Sequence, residues 1–144
     1  MYIPIERIIV NQQFASAEIA LQEIGAYLVQ QGIVAEPYVD SLLRRQQQYG
    51  VYIGNFVALP HAEEQAHQWI MEEGVFLFQV PDGVDFGTEA EAKIATILFV
   101  VVLKEKQLSF LQEIAFFCSD IQNVRLLSDA SSPQEIQQIL LDEE

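Results

Sequence analysis

The chain reads as an α/β protein: a single domain over residues 1–144, with a mixed, mostly parallel β-sheet and helices packed on both faces. Three observations predict this. Ile94 to Leu103 is apolar at both parities apart from Thr96, the pattern of a central strand covered by helices on each side. Helical periodicities alternate with short β-forming runs along the chain. Finally, 144 residues, 51% hydrophobic and 19% charged, with no internal repeat or low-complexity linker, make one domain's worth with a single well-buried core.

Taken in order, Ile8-Ile9-Val10 is a short strand followed by the turn-prone Asn11. Ser16 is the expected N-cap of a helix placing Ala17, Ala20, Leu21, Ile24 and Leu28 on one face, and Gly32 is its natural stop. Pro37 suits the first turn of a second helix, which carries Val39, Leu42 and Leu43 inward and Arg44, Arg45 and Gln46 near its end. Gly50 and Gly54 bracket another apolar run, Val51-Tyr52-Ile53. Gly74 precedes the β-forming run Val75 to Val80. Pro81-Asp82-Gly83 then reads as a turn, Pro setting φ and Gly accepting a positive value. After the central strand a helical pattern resumes at Leu108, Leu111, Ile114 and Ala115. Ser132-Pro133-Gln134-Glu135 announces the last helix: a capping box with Pro at the first helical position, then Ile136, Ile139 and Leu140.

Seven Lys and Arg against 21 Asp and Glu give a net charge of −14. The cations form no stripe that could track a phosphate backbone, which argues against nucleic acid as a direct partner. Anionic lipid surfaces would repel the chain, and its longest apolar run is about half of the ~20 residues a membrane helix needs. Met1 to Arg7 has the features of neither a signal nor a transit peptide. A lone cysteine, Cys118, cannot form an internal disulfide and fits a reducing compartment. The expectation is a cytoplasmic protein without membrane insertion.

For function the most informative run is Gly54-Asn55-Phe56-Val57-Ala58-Leu59-Pro60-His61. Val57, Ala58 and Leu59 read as the end of a buried strand, and Pro60, with no N–H to donate, stops the ladder. His61 is thereby expected where a strand gives way to a loop, outside the carboxyl end of the sheet. Ala62-Glu63-Glu64-Gln65-Ala66 is expected to start a helix whose unpaired N–H groups would lie close to an anion on His61. A neutral imidazole nitrogen can carry a covalent intermediate at pH 7, so this arrangement points to phosphoryl transfer. The plainer alternative is an ordinary loop histidine.

His67 is expected on another face and solvated. Its spacing from His61 is not that of an HExxH zinc site, and with Cys118 as the only thiol no metal or cofactor is expected. Arg44 and Arg45 either complement a helix C-terminus or offer a planar fork to phosphoryl oxygens, and their positions alone do not choose. Asp82, Asp85, Glu89 and Glu91 read as a solvated acidic loop. The chain has no Gly-rich phosphate loop, GxSxG or CxxC, which leaves nucleotide-binding, hydrolase and thiol-redox readings without support.

The Gly54–His61 run resembles the phosphorylation-site motif of the mannitol/fructose-type enzyme IIA domains of the bacterial sugar phosphotransferase system, the mannitol branch most closely. Arg45 falls where that family keeps an arginine upstream of its histidine. Val80 to Gly87 is similar to its strand-turn segment. Ile114 to Asp120 and the closing helix, Ser132 to Leu141, are similar to its C-terminal part, so the resemblance covers nearly the whole chain. It implies that His61 receives a phosphoryl group from the carrier protein HPr. The group then passes to a IIB domain, usually to a cysteine there, on the way to a sugar or hexitol entering through a IIC permease. Arg45 would stabilise the phosphoryl oxygens.

Three positions depart from the family pattern. Ala62 stands where Gly usually follows the histidine, Gln46 where Glu usually follows the arginine, and Gln107 where a second histidine normally precedes a helix. Gln107 can donate a hydrogen bond to a phosphoryl oxygen but cannot carry positive charge. A function of another class also fits the resemblance: a regulatory IIA-like domain of a transcriptional regulator, where phosphorylation is a signal.

Overall fold

A computed structural model of the chain describes residues 1–142. Ser16 Oγ accepts the Ile19 N–H at 3.2 Å and starts α1, Ala17–Gln30, which stops before Gly32 in the left-handed region at φ 75°. Pro37 occupies the first turn of α2, Pro37–Gln48. The buried face of α2 is Tyr38, Ser41 and Leu42, whereas Val39 and Leu43, expected inward, are half-buried. The reason is the closeness of α1. A Cβ added at Gly25 would come within 2.5 Å of Val39 Cγ1, so Val39 seals the seam between the helices instead of reaching the sheet.

Among the described residues five strands form one sheet: β1 Ile8–Ile9, β2 Tyr52–Gly54, β3 Val57–Ala58, β4 Gly74–Asp85 and β5 Ile94–Val102, in the order β1-β4-β5-β3-β2. The sheet is mixed, as expected, with β1/β4 and β3/β5 parallel and β4/β5 and β2/β3 antiparallel. Its longest ladder is β4/β5, from Gly74↔Val102 to Asp85↔Ile94.

One expected turn is absent. Pro81-Asp82-Gly83 does not end β4; pairing breaks after Gln79 and resumes at Val84↔Ala95, so the triplet is a bulge inside a longer strand. Pro81 has no ladder donor to offer. Gly83 sits at φ 81°, with Ile94 Cγ2 2.5 Å from where a Cβ would stand, so the bulge needs both residues. The chain reverses after Asp85, whose carboxylate accepts the Gly87 and Lys93 N–H groups at 2.8 and 2.9 Å. Asp82, Asp85, Glu89 and Glu91 are exposed, as expected.

Strand alternation sorts the core into two layers. Phe76, Phe78, Leu98, Val100 and Val102 meet Leu21, Ile24 and Leu28 of α1 and Tyr38 and Leu42 of α2. Val75, Leu77, Ile97, Phe99 and Val101 face the other way, against α3 Gln107–Cys118, α4 Ile121–Asp129 and α5 Pro133–Leu141. Periodicity does not reveal α4, a nine-residue helix whose cap, Asp120, accepts the Gln122 N–H at 2.9 Å. The start of α5 follows the capping signal: Ser132 Oγ accepts the Glu135 N–H at 3.1 Å. The Glu135 carboxylate reaches back one residue further than a capping box requires, to the Ser131 N–H.

Candidate active site

His61 emerges at the strand end. Leu59 N–H donates to the Val51 carbonyl at 2.8 Å, Val101 N–H donates to the Pro60 carbonyl at 2.9 Å, and His61 itself bridges Val101 in parallel. The backbone therefore stays beside β5 for three residues past β3 and leaves at the carboxyl end of two neighbouring parallel strands, as the sequence places it. The next residues differ from expectation. Ala62 is buried in the core, Glu63 is extended at φ −72°, ψ 159°, and a 3₁₀ helix runs from Glu64 to Trp69. The Glu63 N–H is taken by Ser41 Oγ at 2.9 Å. No α-helix begins at residues 62–66 to present free N–H groups to an anion, because packing of Ala62 against the core holds the backbone extended.

His61 is 8% exposed, and its Nδ1 lies 2.6 Å from the Leu59 carbonyl oxygen. A carbonyl only accepts, so Nδ1 carries the proton and the lone pair sits on Nε2. Burial holds the imidazole below the ordinary histidine value of 6.5. The Leu59 carbonyl pulls the other way, and the nearby Arg45 charge adds to the lowering. The result is a ring neutral at pH 7, with one tautomer and one available nucleophilic nitrogen.

The two arginines part company. Arg45, half-buried near the end of α2, has a buried Nε without a hydrogen-bond partner, and its guanidinium carbon lies 5.2 Å from the centre of the Tyr49 ring. Arg44 is exposed and pairs with Glu63 at 3.4 Å. Gln46 is occupied locally: its amide donates to the Phe86 carbonyl at 3.0 Å and accepts the Val51 N–H at 3.1 Å. Glutamate at 46 could make only the second bond. Gln107 is the first residue of α3, in the segment that follows β5; its Oε1 is buried and unpartnered. A half-turn of the amide presents Nε2 in its place.

His67 is not solvated as expected. It is half-buried on the 3₁₀ helix with Nε2 enclosed and unpartnered, because the Val34↔Ile70 bridge folds this segment back onto the protein. Cys118 is buried, its thiol pushed up to about 12 by desolvation, and is an unreactive core residue. Sequence reasoning missed Tyr38 and Ser41, both fully buried on α2. Their signal is spacing: Tyr38, Ser41 and Arg45 stand at i, i+3 and i+7, one face of a helix.

The family model for the phosphoenolpyruvate-dependent sugar phosphotransferase system, EIIA 2, matches residues 1–143. The chain belongs to this EIIA 2 family. A mannitol-specific phosphotransferase enzyme IIA component of Enterococcus faecalis (strain ATCC 700802 / V583) is 44% identical to it over 127 residues, 88% of each chain. The crystal structure of IIA mannitol from Escherichia coli shares the fold with a TM-score of 0.87 at 26% identity, covering 97% of this chain and 99% of that one. A complex of enzyme IIAMTL and phosphorylated enzyme IIBMTL from Escherichia coli matches with a TM-score of 0.85 at 26% identity, covering 94% of each chain. As an EIIA 2 member the chain is a phosphotransferase component. Among its described residues no helix is long and apolar enough to cross a membrane.

Proposed function

We propose that this chain is a mannitol-type enzyme IIA, one cytoplasmic domain over residues 1–144, whose His61 carries a phosphoryl group between HPr and a IIB domain. The observation that carries this reading is the 2.6 Å contact of Nδ1 with the Leu59 carbonyl, which leaves Nε2 as the nucleophile. Its lone pair attacks the phosphorus of phospho-HPr, forming one N–P bond as the carrier's N–P bond breaks. A cysteine thiolate of IIB then attacks the same phosphorus, and Nε2 recovers its lone pair. The group travels on to the hexitol entering through the IIC permease.

Arg45 and Gln107 fit the two charge-handling roles. The unpaired Arg45 Nε–H is a charge-assisted donor for a phosphoryl oxygen. Gln107, half-buried with its Oε1 enclosed and unpartnered, can turn its amide to offer Nε2 to another. The regulatory alternative is not favoured, since the similar Enterococcus faecalis protein is named as a mannitol-specific enzyme IIA component.

The test is incubation with enzyme I, HPr and phosphoenolpyruvate. One acid-labile phosphoryl group per chain is expected, and a mannitol-type IIB should remove it. Label persisting in a folded His61→Ala protein would sink the assignment.

A further inference from the structure

Ser41 is fully buried in the middle of α2, where a serine ordinarily weakens a helix by competing for its backbone bonds. Its Oγ does not turn back on the helix. It accepts the N–H of Glu63, 22 residues away in sequence and two beyond His61, at 2.9 Å. One turn earlier on the same face, the Tyr38 hydroxyl lies against the Ala62 backbone without completing a hydrogen bond. One turn later stands Arg45, close enough for its charge to act on the His61 ring. A single face of α2 therefore lies toward residues 61–63, Tyr38 toward Ala62, Ser41 bonded to Glu63 and Arg45 toward His61.

On the opposite side the same backbone is held by β5, through the Val101 N–H to Pro60 carbonyl bond and the His61↔Val101 bridge. His61 hangs between these two supports. Only the α2 support also carries the arginine. The other side-chain link from α2 to Glu63, the Arg44 ion pair, is exposed and adds little.

We propose that Ser41 is a positioning residue for phosphoryl transfer: by tying the Glu63 backbone to α2, its hydroxyl sets the separation of the Arg45 guanidinium from the His61 ring. This rests on the reading of His61 as phosphoryl acceptor and of Arg45 as the group that stabilises the transferring phosphoryl. Reacting groups displaced by about 1 Å can lose on the order of 100-fold in rate. Anchoring this backbone is thus a kinetic matter as well as a stabilising one.

The experiment is rapid-quench transfer from phospho-HPr to Ser41→Ala and Ser41→Cys, each confirmed as folded by circular dichroism. Cysteine keeps the side chain's shape at a slightly larger size with a far weaker acceptor, and it carries the test if the alanine variant does not fold. The expected result is a kcat lowered about 10- to 100-fold with little change in KM for phospho-HPr. In an Arg45→Ala background the same substitution should cost about twofold or less, because the group it aligns is gone. Folded variants that transfer at the wild-type rate, or that lose the same factor in both backgrounds, would reduce Ser41 to a stabilising role and overturn this inference alone. A wild-type chain that takes no label from phospho-HPr overturns the acceptor reading and this inference together.

Discussion

At His61, the proposed phosphoryl acceptor, one carbonyl oxygen leaves one ring nitrogen free. Because the Leu59 carbonyl accepts the Nδ1–H, the lone pair sits on Nε2; because the ring is buried near Arg45, it stays neutral below the ordinary histidine value. NMR titration of the unphosphorylated protein should therefore place His61 below 6.5, and a value above it would contradict burial as the controlling influence. Between the lowered folded value and 6.5 the unfolded chain binds the extra proton, so His61 costs stability as pH falls through that window and costs nothing above it. Arg45→Ala should slow phosphorylation by ~30- to 1000-fold, about 2–4 kcal/mol of lost charge stabilisation, with a nearly unchanged Tm. Arg44→Ala, which removes an exposed charge paired with Glu63, is the control and should leave the rate close to normal. Gln107→His should speed exchange with HPr about 10-fold, the worth of ~1.4 kcal/mol from one charge-assisted bond. If exchange stops while the fold stays intact, position 107 is not beside His61.

At the scale of elements, the bulge in β4 and the short helix α4 are joined through Gln79, the fully buried residue where β4/β5 pairing breaks. Its side-chain carbonyl accepts the Asn11 N–H at 3.1 Å, and its amide donates to the Leu127 and Ala130 carbonyls at 2.9 and 2.8 Å. This one side chain satisfies the end of α4 and the turn after β1. Gln79→Leu keeps the size but leaves those groups without partners, at a cost of about 3 kcal/mol or roughly 10 °C in Tm. Thermal unfolding followed by circular dichroism checks this, and a shift under about 2 °C would show that water replaces the amide. Periodicity cannot reveal such a residue. A glutamine inside an apolar run looks like an error in the strand until α4 is packed above it.

For the whole molecule, charge is the strongest influence outside the core. A net −14 on 144 residues works against compaction, and only seven cations offset it. Raising ionic strength from about 10 to about 150 mM should screen this repulsion and raise Tm measurably. A fall in Tm with salt would mean that local ion pairs such as Arg44–Glu63 outweigh the net field.

Much of the architecture was legible in the chain itself. The double-sided apolar run 94–103 specified a strand covered on both faces, the Ser16 and Ser132 caps specified helix starts, and Pro60 specified where His61 would leave the sheet. These are local signals, because side-chain period and capping chemistry act within a few residues. What the tertiary structure alone decided lies in contacts between segments distant in sequence. Docking of α2 separated Arg45 from Arg44 and brought Ser41 to Glu63; the 94–102 strand held Pro60 and His61; core packing of Ala62 replaced an expected α-helix with an extended step and a 3₁₀ turn. No periodicity encodes those choices, since each depends on two elements meeting in space at a separation that only the packed core sets.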